Sequence, residues 1–247
     1  MIRAMIFDLD GTLVQTERLK SISYAKAVIE LCPRQVSEEQ VIEAFKEVVG
    51  LSRRQVAQTL VNKFSLEGKA RARMEEFGVN SDWQAFIQVR LQHYEAMLAD
   101  PAILLENRWP HNLALLAEAR RAECKTGLAT MSSCNQAQRV LTILNLTADF
   151  DFVATRDDVG HGKPNPEIYN LVADQLNVPV SQCLVIEDSP AGVQAALAAG
   201  MWCIAVTTPF TRAAIHAKQL LDERWVVDEP VELLSVVQQM ITERASD

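Results

Sequence analysis

The sequence predicts an α/β fold: a doubly wound parallel sheet, Rossmann-like in its core, carrying an inserted all-helical domain. Three observations predict it. A short apolar run at residues 2–7 stops at an acidic turn, Asp8-Leu9-Asp10-Gly11-Thr12. Residues 16–98 then show helical periodicity and no convincing strand. After Asp100-Pro101, helical segments alternate with branched apolar segments, the pattern of parallel strands joined by crossover helices. A core domain is therefore expected at residues 1–15 and 99–247, with a helical cap domain at 16–98. A chain of 247 residues, 49% hydrophobic, can bury one large core and a smaller satellite, and nine glycines and nine prolines exclude disordered and collagen-like classes.

The first strand, residues 2–7, is apolar at most positions, as a strand covered on both faces must be. Within the helical block, Ser37-Glu38-Glu39-Gln40 and Ser81-Asp82-Trp83-Gln84 have the form of capping boxes, and Gly50, Gly68 and Gly78 that of helix stops. Beyond it, helices are expected at 111–123, 135–144, 166–176, 191–199, 212–221 and from 231 onward. Strands are expected between them at 126–130, 152–154, 183–186, 202–206 and 225–227. No internal repeat or low-complexity segment interrupts the series.

With 32 acidic and 24 basic residues, the chain carries a formal charge of −8 and a sequence pI near 5.1. Nucleic acids and anionic membranes attract basic stripes, so neither is an expected partner. The N-terminus has no signal-peptide pattern, and the longest low-charge stretch, residues 191–206, falls short of the roughly 20 residues of a membrane span, so a cytoplasmic protein is expected. Five widely spaced cysteines, Cys32, Cys124, Cys134, Cys183 and Cys203, contain no C-x-x-C pair and are expected as buried, reduced thiols.

In open parallel sheets, ligands bind beyond the carboxyl ends of the strands. The residues at those ends are Asp8 and Asp10 after the first strand, Thr130 and Ser132 at the next, Lys163 in a Gly-His-Gly-Lys-Pro loop, and Glu187-Asp188 after residue 186. Taken singly, each has an ordinary explanation: an acidic turn, a strand-end hydroxyl, a solvated lysine, or acidic residues before a Ser189-Pro190 helix start. Their order removes these explanations, because each closes a different strand of one pattern. Carboxylates gathered at one edge repel unless a hard cation lies between them, and oxygen ligands suit Mg²⁺. A calcium EF-hand is excluded, since a strand precedes the aspartates and Leu19 holds the twelfth position.

With these motifs the chain resembles the haloacid dehalogenase superfamily, specifically its phosphatases and β-phosphoglucomutase-like members. The first motif is Asp8-Leu9-Asp10-Gly11-Thr12 and the second is Thr130 in Gly-Leu-Ala-Thr-Met-Ser-Ser. The third is Lys163 in Gly-Lys-Pro-Asn-Pro-Glu-Ile-Tyr, and the fourth is Glu187-Asp188-Ser189-Pro190-Ala191-Gly192. The resemblance implies a small phosphate ester as substrate. Asp8 would be the nucleophile forming an aspartyl-phosphate, and Asp10 the general acid and base. Thr130, Ser132 and Lys163 would grip the phosphate. Asp8, Asp10 and Asp188 would hold Mg²⁺, with Glu187 outside the ligand sphere. The helical insertion would be a lid that expels water and reads the leaving group.

Within that lid, Gly50-Leu51-Ser52-Arg53 resembles a substrate-contacting loop, and Arg53 and Lys20 are the candidate substrate contacts. Mutase-like members carry an aspartate and a histidine shortly after the first motif, where this chain has Gln15 and Lys20, and Trp109-Pro110 replaces a proline-glycine pair. The leading expectation is a Mg²⁺-dependent phosphatase. A phosphomutase and a catalytically silent phosphate- or metal-binding regulator are the alternatives. His161, two residues before Lys163, is expected in solvent.

Overall fold

The computed structural model describes residues 1–33, 36–48 and 53–245. They divide into two compact units: residues 1–15 with 104–247, and residues 16–103.

The chain opens with β1 (Ala4–Phe7), then enters the second unit through α1 (Thr16–Leu31), α2 (Glu38–Lys46), α3 (Arg53–Lys63), α4 (Glu67–Arg71), α5 (Met74–Phe77) and α6 (Asp82–Ala99). Helix α7 (Pro101–Glu106) spans the crossing back. The first unit then continues through α8 (Pro110–Arg121), β2 (Lys125–Ala129), α9 (Cys134–Ile143), β3 (Phe152–Ala154), α10 (Glu167–Leu176), β4 (Cys183–Glu187), α11 (Pro190–Ala198), β5 (Trp202–Val206), α12 (Arg212–Lys218), β6 (Val226–Val227) and α13 (Leu233–Ala245).

All six strands run parallel in the order β3-β2-β1-β4-β5-β6. Strand β1 sits at the centre, and all four of its residues are buried because both sheet faces are covered. Ile6 joins Ile168 and Val172 of α10 and Val193 of α11 in one buried cluster. Its neighbour Met5 points the other way and lines a cleft with Leu115 of α8 and Val237 of α13. Register does the positioning: Phe7 lies opposite both Leu128 and Ile186, so Asp8 falls level with the end of β2 and with Glu187.

In the helical unit the capping box at Ser37 forms. Gln40 N donates to Ser37 Oγ at 3.3 Å, and Ser37 N donates to Gln40 Oε1 at 2.9 Å. The second expected box does not. Ser81 Oγ donates to Gln84 Oε1 at 2.8 Å instead of accepting from the helix, and Asn80 N shares that oxygen at 3.2 Å. Gly78 ends α5 in the left-handed region at φ 61°, whereas Gly68 lies inside α4. Gly50 falls outside the described residues. Tyr24 of α1 packs on Phe45 and Phe86, with ring centroids at 5.2 and 5.9 Å.

The return to the first unit comes at residues 103/104 rather than 98/99. Asp100-Pro101 was the expected break, but Asp100 Oδ1 accepts from Ala102 N at 2.9 Å and Pro101 starts a further helix. Of the five cysteines, all free, only Cys183 and Cys203 are buried; Cys32 and Cys124 are half-buried and Cys134 is exposed. Burial pushes the Cys124 and Cys183 thiols up to about 11. Cys134 differs because it opens α9 rather than lying in a strand. No described helix is long and apolar enough to cross a membrane.

Helix α10 lies so close to β2 that a Cβ at Gly127 would meet Val172 Cγ1 at 2.4 Å. A β-branched methyl so near a strand has little room to move. Gly127→Ala is expected to cost ~1–3 kcal/mol, read as a lower urea midpoint at unchanged m-value.

Candidate active site

The end of β1 delivers Asp8 buried, at 6% exposure, followed by buried Leu9 and partly exposed Asp10. Gly11 turns the chain at φ 86°, and the amides of Leu13 and Val14 both donate to Leu9 O at 2.9 and 3.2 Å. That tight loop holds both aspartates at the strand end.

Lys163 is the hub. Its Nζ donates to Asp8 Oδ1 at 2.7 Å, to Glu187 Oε1 at 2.7 Å and to Ala129 O at 2.9 Å, so all three ammonium hydrogens have acceptors. The ammonium also lies 4.9 Å from the Tyr169 ring centre. Burial alone would lower the lysine, but the Asp8 and Glu187 charges outweigh it and hold Lys163 well above its ordinary value. For Asp8 the balance runs the other way. Burial raises its carboxyl well above the usual range; Lys163 opposes the rise, and the Glu187 and Asp10 charges add to it. One ammonium does not neutralise the carboxylates gathered here.

Glu187 is saturated. Its Oε1 accepts from Lys163 and from Tyr169 Oη at 3.2 Å. Its Oε2 accepts from Asp188 N and Ser189 N, both at 2.8 Å, and from Ser189 Oγ at 3.0 Å. The carboxylate fills the place of a side chain on α11, since a Cβ at Gly192 would stand 1.6 Å from Glu187 Oε1. Ser189 Oγ caps that helix by accepting from Gly192 N at 3.1 Å. Asp188, at 3% exposure, follows directly.

Thr130 and Ser132 are expected from sequence on the phosphate. In the structure their hydroxyls reach Asp10: Ser132 Oγ donates to Asp10 Oδ2 at 2.6 Å and Thr130 Oγ1 at 3.3 Å. The level register of β1 and β2 places these two loops side by side. The Tyr169 hydroxyl carries no role in the sequence expectation, although a fully buried phenol needs a partner, and its place six residues after Lys163 puts it on α10. His161 is exposed, with Nδ1 3.0 Å from Glu167 Oε2. Arg53 and Lys20 belong to the other unit. Arg53 is exposed at the start of α3, and Lys20 lies 3.5 Å from Glu17 on α1. Gly50-Leu51-Ser52 lie outside the described residues.

No three His, Cys, Asp or Glu side chains among the described residues form a metal cluster. The donors on offer near the hub are fewer: two buried carboxylates, Asp8 and Asp188, and backbone oxygen. That set suits Mg²⁺, which keeps several waters and takes one or two carboxylates, and a divalent ion would balance the excess negative charge around Asp8.

A family model described as haloacid dehalogenase-like hydrolase matches residues 2–200. The chain belongs to the haloacid dehalogenase-like hydrolases. Among its relatives in this family are a phosphorylated carbohydrates phosphatase of Thermotoga maritima, 30% identical and covering 81% of this chain and 82% of its own length. Another is the validoxylamine A 7′-phosphate phosphatase of Streptomyces hygroscopicus subsp. limoneus, 27% identical over 91% of this chain and 97% of that protein. The fold matches that of a β-phosphoglucomutase from Clostridium difficile with a TM-score of 0.68, at 24% identity and full coverage of both chains.

The raised Asp8 carboxyl sets a sign for stability. A carboxyl whose folded value lies above its unfolded one binds its proton more tightly when folded, so stability falls as pH rises above the unfolded value of 3.8. In EDTA, Asp8→Asn is therefore expected to melt a few degrees higher than wild type at pH 7. The advantage should vanish below pH 3.8, where both states are protonated; thermal melts at the two pH values check it.

Proposed function

We propose that this hydrolase is a Mg²⁺-dependent phosphatase that cleaves a small soluble phosphomonoester, such as a sugar phosphate, through an aspartyl-phosphate on Asp8. The observation that carries the reading is the buried Asp8–Lys163–Glu187 chain at the carboxyl edge of the sheet. It holds a carboxylate and a fixed cation where a phosphoryl group would enter.

A carboxylate facing a phosphate dianion at ~4 Å is repelled by roughly 2 kcal/mol in water and about 8 kcal/mol at an effective dielectric of 20. Lys163, kept protonated by its two carboxylates, offsets part of this at the phosphoryl oxygens. Held by Asp8, Asp188 and the Asp10 carbonyl, Mg²⁺ would supply the remaining charge neutralisation. An Asp8 oxygen attacks phosphorus and the ester P–O bond breaks. Asp10 passes its proton to the departing alkoxide. Ionised, it then takes a proton from the water that cleaves the acyl phosphate, releasing inorganic phosphate and regenerating Asp8. Ser132 and Thr130 both donate to Asp10 Oδ2, which leaves the transferable proton to Oδ1. The −8 charge fits a small metabolite better than nucleic acid or a membrane surface, and five free thiols fit a cytoplasmic setting.

The test is a phosphate-release screen over sugar phosphates, phosphoglycolate and nucleotides, with and without Mg²⁺. Turnover should disappear in EDTA and fall by at least ~10³-fold in Asp8→Asn. Isomerised sugar phosphate with little free phosphate would make the protein a mutase. Binding without turnover across the panel would make it a regulator, and undiminished turnover in Asp8→Asn would remove the aspartyl-phosphate mechanism. Ser132→Ala should lower kcat by about 10-fold or more, with a shifted acidic limb of the pH–rate profile and little change in KM, because it loosens the acid rather than the substrate.

A further inference from the structure

The ammonium of Lys163 ends a flexible four-carbon stem, so its place depends on what surrounds it. On the phosphatase reading those surroundings change during the reaction, because attack on phosphorus uses up the Asp8 charge that Nζ faces at 2.7 Å. Glu187 and the Ala129 carbonyl remain as acceptors. So does a fourth neighbour, the ring of Tyr169, whose centre lies 4.9 Å from Nζ.

Tyr169 has little freedom. It is fully buried on α10, in one cluster with Ile6 of β1, Val185 of β4 and Cys203 of β5. Its amide donates to Pro166 O at 3.0 Å, which closes the turn between Lys163 and the helix. Val172, one helical turn further on, is the residue a Cβ at Gly127 would strike, so this face of α10 is pressed against β2.

The two ends of the phenol act on the same lysine. The ring face attracts the ammonium. The hydroxyl donates to Glu187 Oε1 at 3.2 Å, the oxygen that also accepts from Nζ. By sharing that oxygen the phenol takes up part of its charge, so Glu187 draws the ammonium less tightly and leaves it on the Asp8 side.

We propose that Tyr169 is a positioning residue for Lys163, its ring and hydroxyl together fixing the ammonium beside Asp8 where it meets the phosphoryl oxygens. The effect on rate rests on the phosphatase reading; the effect on the lysine does not.

Two measurements on the full chain separate these effects. In NMR spectra of carbon-13-labelled protein, the Lys163 Cε protons should move downfield in Tyr169→Leu, which removes the ring, and by a smaller amount in Tyr169→Phe, which removes only the hydroxyl. In steady-state turnover, Tyr169→Phe should lower kcat by about 3- to 10-fold with KM unchanged, and Tyr169→Leu should lower it further. The phenylalanine variant keeps the ring and decides the matter if Tyr169→Leu does not fold. A tyrosine that only fills space would lower the melting temperature while leaving kcat per folded molecule and the lysine resonances alone. Unmoved Lys163 resonances, or wild-type kcat, in every folded variant would overturn the proposal. Moved resonances in a protein whose wild type releases no phosphate would uphold the hold on Lys163 and remove the phosphatase reading instead.

Discussion

A single ammonium, shared by two buried carboxylates and a carbonyl, holds three strand ends of the core unit together. Lys163 reaches from the loop before α10 to Asp8 at the end of β1, to Ala129 at the end of β2 and to Glu187 at the end of β4. Removing Lys163 would leave two buried carboxylates unpaired, which is far more costly than the pairing is favourable, whereas neutralising Asp8 leaves the ammonium paired with Glu187. The arrangement persists because the three Lys163 hydrogens and both Glu187 oxygens are satisfied, down to the two amides and the hydroxyl that complete Glu187. The same bonds fix Asp8 in place, so stability and candidate chemistry depend on one network.

The backbone has been shaped around that network. Gly192 leaves the space that Glu187 fills, and Ser189 both bonds Glu187 and caps α11, so the fourth motif acts as a carboxylate holder as much as a helix start. On the opposite side, Glu167 accepts from Gly160 N at 2.8 Å and His161 N at 2.9 Å and steadies the loop that presents Lys163.

What was legible in the sequence was the set of strand ends. Alternating helices and strands imply a parallel sheet, and a parallel sheet brings the residues after β1, β2 and β4 to one edge whatever the details of packing. What was not legible depends on register and side-chain direction. Nothing in the spacing of Thr130 and Ser132 says that their hydroxyls meet Asp10, which requires β1 and β2 to end level. Tyr169 stood in view within the third motif, but its bond to Glu187 crosses from α10 to β4. Ser81 has the letters of a capping box while its hydroxyl donates rather than accepts.

The split of the core unit has a consequence for synthesis. The central strand β1 is made first, yet its two neighbours begin only at Lys125 and Cys183, whereas residues 16–103 form a compact unit without interruption. On the ribosome the helical unit is complete while β1 still has bare hydrogen-bonding edges on both sides. Closing the sheet around β1 must wait for β4, and the long loops this entails make the core the slow half of the molecule to assemble. The helical insertion therefore separates the folding of this protein in time as well as in sequence.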